Sequence, residues 1–245
     1  MITKNTIKQI ASLRQQKFRN ELGLFIVEGR KMAEELLQSS LETVHLLATE
    51  RFLSDCPTPF PQAETVSEVQ MSQMSSQDTP PGILAVVRIP KSRPINDAVR
   101  FILALDGIAN PGNMGTIIRT AEWFGIHDIV CSTDCVEIWN PKVIQATMGS
   151  VFRINILETG LSNFLDGQSR LGKAVYGALL DGENLFEVQS QKEGIIVIGS
   201  ESHGIRKNAL PFITHPITIP RIGASQTESL NASIAAAIIM AEMTR

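Results

Sequence analysis

The chain has 245 residues, of which 43% are hydrophobic and 19% charged, a composition that can bury a core and excludes wholesale disorder. Its longest apolar stretch is broken by Ser233 and Glu242 and is too short to span a bilayer, and the N-terminus lacks the apolar segment of a secretory signal. Three cysteines and four histidines show neither a disulfide framework nor zinc-ligand spacing. We therefore expect a soluble, cytoplasmic protein with no membrane partner and no metal.

Charge is distributed unevenly along the chain. Residues 1–31 contain seven Lys or Arg and two acidic residues, a net charge of +5, whereas the whole chain carries −3 and the remainder therefore −8. A basic segment on an acidic body is expected when one end of a protein binds a polyanion. A solvated helix face has the same composition, so both interpretations stay open. Aromatic residues, at 5%, are too few for a base-stacking platform.

The first part of the chain is predicted to form a small α/β domain. The periodicity predicts helices over 4–19, 30–38 and 67–76, and strands over 24–27, 44–48 and 83–87. A Pro-rich loop occupies 56–61, and the stretch around Pro90 and Pro94 has no periodicity, which indicates a linker. The expected division is therefore a domain over 1–92, a linker over 93–99 and a second domain over 100–245.

The second part alternates strands with helices. Strands are predicted over 101–105, 128–132, 174–180, 195–199 and 216–220, and helices over 114–124, 140–147, 162–170, 205–210 and 229–243. This alternation predicts a parallel sheet covered by helices on both faces. Ligands of such sheets bind beyond the carboxyl ends of the strands, so the loops that follow the strands are where a site is expected.

The first such loop, residues 106–115, is rich in Gly and Asn and leads into a helix that carries Arg119. Asn113 could cap this helix, whose free N–H groups attract an anion. Arg119 could point back towards the loop and present its guanidinium to a phosphate. An ordinary strand–turn–helix with a surface arginine fits the same residues.

Two later loops also follow predicted strands. In the second, Gly199 and Gly204 indicate close approach of the backbone to a ligand, Glu201 supplies an acid, and His203 either carries protons or merely fills a turn. The third runs from Ile219-Pro220 to an Ala-rich helix for which Ser229 and Asn231 are candidate caps. Such an Ala-rich helix is typical of a buried core, and it fits equally well a dimer contact or a ligand-binding surface. Dinucleotide, phosphate-loop and serine-hydrolase motifs are missing from the sequence.

In this order and at this spacing, the three loops resemble the motifs of the SpoU (TrmH) family of RNA ribose methyltransferases, within the SPOUT superfamily. The motifs read Asn113-x-Gly115-x-x-x-Arg119, then Gly199-Ser200-Glu201 with Gly204, then Ile219-Pro220 followed by Ser229-Leu230-Asn231-x-Ser233. Residues 140–153 are similar to the family too, so the resemblance covers 100–245 almost continuously. Residues 13–19, 23–29 and 81–85 resemble the small RNA-binding domain that precedes the catalytic domain in many members.

The resemblance implies an α/β C-terminal SPOUT domain with a parallel sheet and a deep trefoil knot, preceded by a small α/β RNA-binding domain. It also implies a homodimer through the C-terminal domain and S-adenosylmethionine as cofactor. By position, the cofactor contacts are expected from Leu179, Gly199, Ser200, Gly204, Ile219 and Leu230. The catalytic and RNA-site positions are Asn113, Arg119, Glu201, Ser229 and Asn231. In the basic segment, RNA contacts are expected from Lys8, Arg14, Lys17, Arg19 and Arg30.

The activity implied by the resemblance is methyl transfer to a ribose 2′-hydroxyl of structured RNA, with ribosomal RNA favoured by the N-terminal domain. Alternatives are a tRNA ribose or a base nitrogen as acceptor, and a non-catalytic RNA-binding or assembly factor with the same fold. The pairs Asn113/Arg119 and Ser229/Asn231 favour a ribose over a base as the methyl acceptor. The presence of Arg119 and Asn231 weighs against a non-catalytic protein that has kept only the fold. One departure from the family is a longer stretch between Ile219 and Leu230, which includes Gln226.

Overall fold

The computed structural model describes residues 2–96, 98–188, 193–223 and 227–245. Contacts between residues divide the chain into two compact units, one formed by 1–91 with 137–152 and the other by 92–136 with 153–245. Segment 137–152 thus belongs by its contacts to the N-terminal unit, although it lies within the sequence range expected for the second domain. Asp97 of the expected linker and Gln226 of the third motif lie outside the described residues.

A four-stranded sheet with the order β1-β4-β2-β3 forms the frame of the first unit. Its strands are β1 (Leu24–Glu28), β2 (Thr43–Thr49), β3 (Glu64–Val66) and β4 (Ile83–Arg88), and its helices include α1 (Lys4–Ser12), α2 (Gln16–Leu22), α3 (Arg30–Leu37), α4 (Glu50–Asp55) and α5 (Glu68–Met74). Strand β4 is antiparallel to both of its neighbours, while β2 and β3 are parallel. Buried side chains of α1, α5 and the sheet, such as Ile10, Met71 and Leu84, form one core.

The single helix predicted over 4–19 is wrong, because the chain forms α1 and α2 with a break between them. Leu13 is fully buried, and its carbonyl oxygen accepts a hydrogen bond of 2.7 Å from Arg19 Nη1. Gln15 is extended, with φ −100° and ψ 132°. Helix α4 was not predicted; Thr49 caps it by accepting a hydrogen bond from the Phe52 amide.

The second unit contains a six-stranded sheet with the order β10-β8-β9-β5-β6-β7, in which every described pairing is parallel. Its strands are β5 (Phe101–Asp106), β6 (Asp128–Ser132), β7 (Asn155–Thr159), β8 (Val175–Asn184), β9 (Gly194–Gly199) and β10 (His215–Thr218). The helices of this half of the chain are α6 (Pro111–Trp123), α7 (Pro141–Thr147), α8 (Leu161–Arg170) and α9 (Ala232–Thr244), of which α7 belongs to the first unit. The predicted α/β fold with a parallel sheet is confirmed; the trefoil knot stays a prediction.

The central strands place three loops side by side. Strands β5, β6 and β9 are apolar almost throughout and buried along nearly their whole length, as expected for a sheet covered on both faces. Asp106 at the end of β5 pairs with Gly199 at the end of β9, and Leu105 pairs with Cys131 of β6. The loops that follow these strands therefore begin at one edge of the sheet.

Two expectations about helices in this unit are wrong. Helix α6 begins at Pro111 rather than near residue 114, and its cap is Asn110, whose Oδ1 accepts from the amides of Gly112 and Asn113 at 2.8 and 3.1 Å. The expected helix over 205–210 is absent, and only a 3₁₀ turn forms at 210–212.

Within the described ranges, no helix combines the length and the apolar character needed to cross a bilayer.

Candidate active site

A chain of two amide hydrogen bonds joins the three motif loops. Asn113 Nδ2, in the first turns of α6, donates to Glu201 Oε1 in the loop after β9. Asn231 Nδ2, at the start of α9, donates to Asn113 Oδ1 at 3.1 Å. Residues separated by 88 and 118 positions in the chain are therefore in direct contact. This brings together one predicted catalytic residue from each motif.

Asn231 performs two tasks at once. Its Oδ1 caps α9, accepting from the Ser233 amide at 2.9 Å and the Ser233 hydroxyl at 2.7 Å. Because that oxygen is occupied by the cap, the Nδ2 group is turned towards Asn113. The prediction that Asn231 caps this helix is confirmed, and the cap fixes the orientation of the amide that reaches the site.

Two further predicted catalytic residues, Arg119 and Ser229, lie exposed at the surface of the second unit. Arg119 is in α6, six residues beyond Asn113. Within the described part of the chain, no hydrogen bond or ion pair involves either side chain. Both are therefore available to bind RNA phosphate or ribose.

The loop after β9 is a tight turn made largely by the main chain. Ser200 and Gly204 exchange backbone hydrogen bonds of 3.2 and 2.9 Å. A Cβ atom on Gly199 would overlap the carbonyl carbon of Gly204 and the amide nitrogen of Ile205, so only glycine fits there. His203 faces Ser202 and is exposed, with no contact to Asn113 or Glu201 among its described hydrogen bonds. The structure thus gives His203 no link to the amide chain.

The apolar residues expected at the cofactor site are partly exposed. Leu179 and Ile219 are half-buried, and Leu230 has 45% of its surface exposed. Thr218 Oγ1, beside Ile219, donates to the Leu180 carbonyl at 3.1 Å, so the segments that carry Leu179 and Ile219 are adjacent.

A cluster of charged residues at the motif loops was not predicted from the sequence. Arg206 Nε donates to Asp106 Oδ1 at 2.7 Å and Arg206 Nη1 to Asp134 Oδ2 at 2.7 Å. Hydrogen bonding to Asp106 raises the pKa of Arg206 above its ordinary value. Burial acts to raise the pKa of Asp134, but hydrogen bonds from Ser132 and its own amide, with the charge of Arg206, hold it lower than usual. Asp106 ends an apolar strand, which is the signal that could have drawn attention to it.

Two cysteines lie beside the first motif loop. The Cys135 thiol contacts the Leu105 carbonyl at 3.5 Å, and Cys131 is fully buried. A hydrogen bond from Cys131, with others from Ser132 and the amides of Ile108 and Gly107, outweighs burial and lowers the pKa of Cys135 to about 7. The same hydrogen bond and burial raise the pKa of Cys131 well above its ordinary value.

Most of the basic residues expected to bind RNA are at the surface of the first unit. Lys8, Arg14, Lys17 and Arg30 are exposed, although Arg14 donates to the Gln73 carbonyl and Arg30 pairs with Glu34. The burial of Arg19 contradicts its expected role in binding RNA. Only 2% of its surface is exposed, and its guanidinium is occupied by Glu137 and the Leu13 carbonyl. The charge of Arg19 is balanced by Glu137 within the unit, because an unpaired buried cation would be costly.

Comparison with known proteins first defines the class. A TrmH-family RNA methyltransferase structure from Porphyromonas gingivalis has a TM-score of 0.88 and 37% identity, and the match covers 99% of this chain and 98% of that one. A structure of an rRNA methyltransferase from Sinorhizobium meliloti with bound S-adenosylmethionine has a TM-score of 0.84 and 26% identity, covering 99% and 95%. The fold is therefore that of a SPOUT-type RNA methyltransferase.

The family follows from the sequence matches. Residues 100–241 match the SpoU rRNA Methylase family, and residues 4–85 match the MRM3-like substrate binding domain. The Bacillus subtilis protein named 23S rRNA (guanosine(2553)-2′-O)-methyltransferase RlmP is 30% identical over 96% of this chain and 94% of its own length. The chain belongs to the SpoU rRNA methylase family, as its three motifs indicated.

Replacing Asn231 with aspartate or with alanine should separate the two tasks of this residue. Aspartate keeps the cap, so the free energy of unfolding should stay within about 0.5 kcal/mol of wild type, whereas alanine should cost about 0.5–2 kcal/mol. Both variants lose the donor to Asn113, so both should lose methyl transfer, by about 10- to 100-fold. Urea unfolding and single-turnover rates measure the two effects. A fully active aspartate variant would show that the contact with Asn113 plays no part.

Proposed function

We propose that this protein transfers a methyl group from S-adenosylmethionine to a ribose 2′-hydroxyl of ribosomal RNA. The observation that carries the proposal is the contact of Asn231, Asn113 and Glu201, because it joins the three motif loops of the SpoU family at one edge of the parallel sheet. The ribosomal 2′-O specificity stated in the name of the Bacillus subtilis relative, which aligns over 96% of this chain, supports the choice of acceptor.

The residues present fit the cofactor. Close packing of Gly199 against the Gly204–Ile205 main chain leaves backbone groups, rather than side chains, at the end of β9. Leu179, Ile219 and Leu230 offer partly exposed apolar surface for the adenine ring. When bound, S-adenosylmethionine supplies a sulfonium methyl group that is electrophilic without assistance from a metal. We propose that Gly199, Ser200, Gly204 and the three apolar residues hold it.

Arg119 is proposed to act on the RNA. A ribose hydroxyl is a poor nucleophile at neutral pH and must lose its proton as it attacks. A guanidinium is a very poor base but an excellent phosphate ligand. Arg119, exposed on α6, therefore binds the phosphate next to the target nucleotide and stabilises the negative charge that develops on the hydroxyl oxygen. Ser229 and the amide chain position the ribose.

Transfer of tritiated methyl groups to defined RNAs tests this assignment. Unmodified 23S rRNA, 16S rRNA and total tRNA, made by transcription, are each incubated with the protein and labelled S-adenosylmethionine. Label in ribosomal RNA is expected. Label confined to tRNA would overturn the ribosomal substrate. Cofactor binding without any label, in ribosomal RNA or in isolated precursor ribosomal particles, would favour a non-catalytic assembly factor.

We also propose that residues 4–85 bind the RNA substrate through their basic surface. Lys8 on α1 and Lys17 on α2 are exposed and have no ion-pair partner among the described residues. Arg14 and Arg30 keep free donors beyond the contacts they make inside the unit. Arg19 is left out of this proposal because Glu137 occupies it.

Reversing the charge of Lys8 and Lys17 together should weaken RNA binding about tenfold or more. Loss of two phosphate contacts should also reduce the slope of log K against log salt by about 1.4 to 1.8. Binding of S-adenosylmethionine should not change. The matched control reverses Arg51 and Lys91, which are also exposed in the first unit. Equal losses in the two double variants would mean that net charge, and not this surface, governs binding.

The homodimer and the cytoplasmic location are part of the same proposal. Helix α9 consists almost entirely of Ala, Ile and Met, yet Ile234 is 50% exposed, which supports a role for this helix in self-association. Light scattering at micromolar concentration should give twice the chain mass of 26.8 kDa. A monomer under these conditions would rule out the dimer.

A further inference from the structure

The charged cluster behind the motif loops links three separate segments of the second unit. Arg206 ends the turn that follows β9, Asp106 is the last residue of β5, and Asp134 lies in the loop after β6. The Ser132 hydroxyl completes the link, because it accepts from the Gly107 amide at 2.9 Å and donates to Asp134 at 2.7 Å. A closed circuit of hydrogen bonds therefore runs through all three loops.

Arg206 is the centre of this circuit. Its guanidinium binds both carboxylates, and its amide nitrogen also donates to Asp106 Oδ2 at 2.8 Å. The side chain of Asp106 is fully buried, so its orientation is fixed. Asp106 thus holds the main chain of Arg206 as well as its side chain, which anchors the C-terminal end of the turn that carries Glu201.

The anchored segments are those that meet at the amide chain. From Asp106 the chain passes through Gly107 to α6, which carries Asn113. From Arg206 it runs back through the Ser200–Gly204 turn to Glu201. Arg206 has no described contact with Asn113 or Glu201, so its influence on them passes through the main chain. A displacement of about 1 Å at a reacting group can cost about 100-fold in rate.

We propose that Arg206 is a positioning residue for methyl transfer. It ties the loops after β5, β6 and β9 together so that Glu201 meets Asn113. This inference rests on the proposed function. Arginine is required because its planar fork serves two carboxylates at once, through Nε, Nη1 and Nη2, whereas lysine offers a single nitrogen.

The first test compares wild type with Arg206→Lys, which keeps a positive charge beside the buried Asp106. We expect kcat to fall about 10- to 100-fold, with the KM for RNA within threefold of wild type. The matched control is Arg153→Lys, which alters another Arg–carboxylate pair of the second unit, with Glu122 of α6, and should change kcat less than twofold. A lysine variant with wild-type kcat would overturn the proposal.

A double-variant cycle distinguishes positioning from general destabilisation. If Arg206 acts through Glu201, then Arg206→Lys should cause little further loss in a Glu201→Ala background. If the fold-losses in kcat of the two single variants multiply in the double variant, Arg206 does not act through Glu201 and the proposal is overturned. If Arg206→Lys does not fold, Asp134→Asn takes its place, because that carboxylate is 51% exposed and its loss leaves Arg206 bound to Asp106. A smaller fall in kcat, about three- to tenfold, is expected for this variant, with the same lack of multiplication in the Glu201→Ala background.

Hydrogen exchange separates failure of this inference from failure of the proposed function. An inactive wild type in every RNA assay would contradict the function, yet the cluster would still be tested by amide exchange in 200–205. These amides should exchange faster in Arg206→Lys than in wild type, while those of β7 should not change. Unchanged exchange in 200–205 would overturn the anchoring role whatever the activity.

Discussion

Replacing Arg119 with alanine should abolish methyl transfer and leave S-adenosylmethionine binding largely intact. The side chain is exposed and forms no hydrogen bond or ion pair with the described residues, so its removal should change the free energy of unfolding by no more than about 0.5 kcal/mol. Its proposed role is at the RNA phosphate and the developing charge on the hydroxyl oxygen. Groups in such roles contribute about 10²- to 10⁴-fold to the rate. Single-turnover methyl transfer and calorimetric cofactor titration measure the two properties separately.

Two control variants define the origin of this effect. Arg119→Lys keeps the charge but not the fork, so it should recover only a small part of the rate. Arg170→Ala removes another exposed arginine from a helix of the same unit and should have wild-type activity. Full activity of Arg119→Ala would remove this residue from the mechanism. Loss of cofactor binding together with activity would assign Arg119 to the cofactor instead.

Gly199→Ala is expected to lose both cofactor affinity and stability. The new methyl group would overlap the Gly204 carbonyl carbon and the Ile205 amide nitrogen, and backbone atoms cannot move aside as a flexible side chain can. Overpacking of this kind costs about 1–3 kcal/mol. The turn that must shift is the one proposed to hold the cofactor, so its affinity should fall by at least tenfold. Thermal unfolding with and without S-adenosylmethionine reports both changes.

A matched glycine substitution makes this prediction specific. Gly167 lies in α8, and a Cβ atom there would meet nothing within 4 Å. Gly167→Ala should therefore be neutral or slightly stabilising, because alanine favours a helix over glycine by about 1 kcal/mol. Normal cofactor binding by Gly199→Ala would contradict the proposed role of the turn after β9.

The sheet of the second unit was predictable because its central strands are continuous apolar runs. Strands β5, β6 and β9 were placed to within one residue at each end. The short strand β7 was missed, since only Ile156 and Leu157 mark it as apolar. The break between α1 and α2 could not be read from periodicity, because it depends on a hydrogen bond from Arg19 to Leu13. Local patterns do not encode such contacts.

The residues of the site were readable from the motifs, but their connections were not. The resemblance to the SpoU family motifs indicated Asn113, Glu201 and Asn231, and the parallel sheet implied that their loops would be neighbours. The direction of each amide depends on caps, and here Asn110 caps α6, which leaves Asn113 free to contact Glu201. Arg206 was missed because a lone arginine after a glycine-rich turn carries no distinctive signal. Its importance appears only when its two carboxylate partners are in place.

The most direct test of the account is the chemical identity of the methylated nucleoside. Ribosomal RNA labelled by the purified protein and tritiated S-adenosylmethionine is digested to nucleosides, which are separated by chromatography and identified by mass spectrometry. Label is expected in a single 2′-O-methyl nucleoside, in a linkage stable to conditions that cleave RNA at unmodified riboses, and no label is expected with Arg119→Ala. Label on a base, with the ribose unmodified, would contradict the proposed ribose specificity.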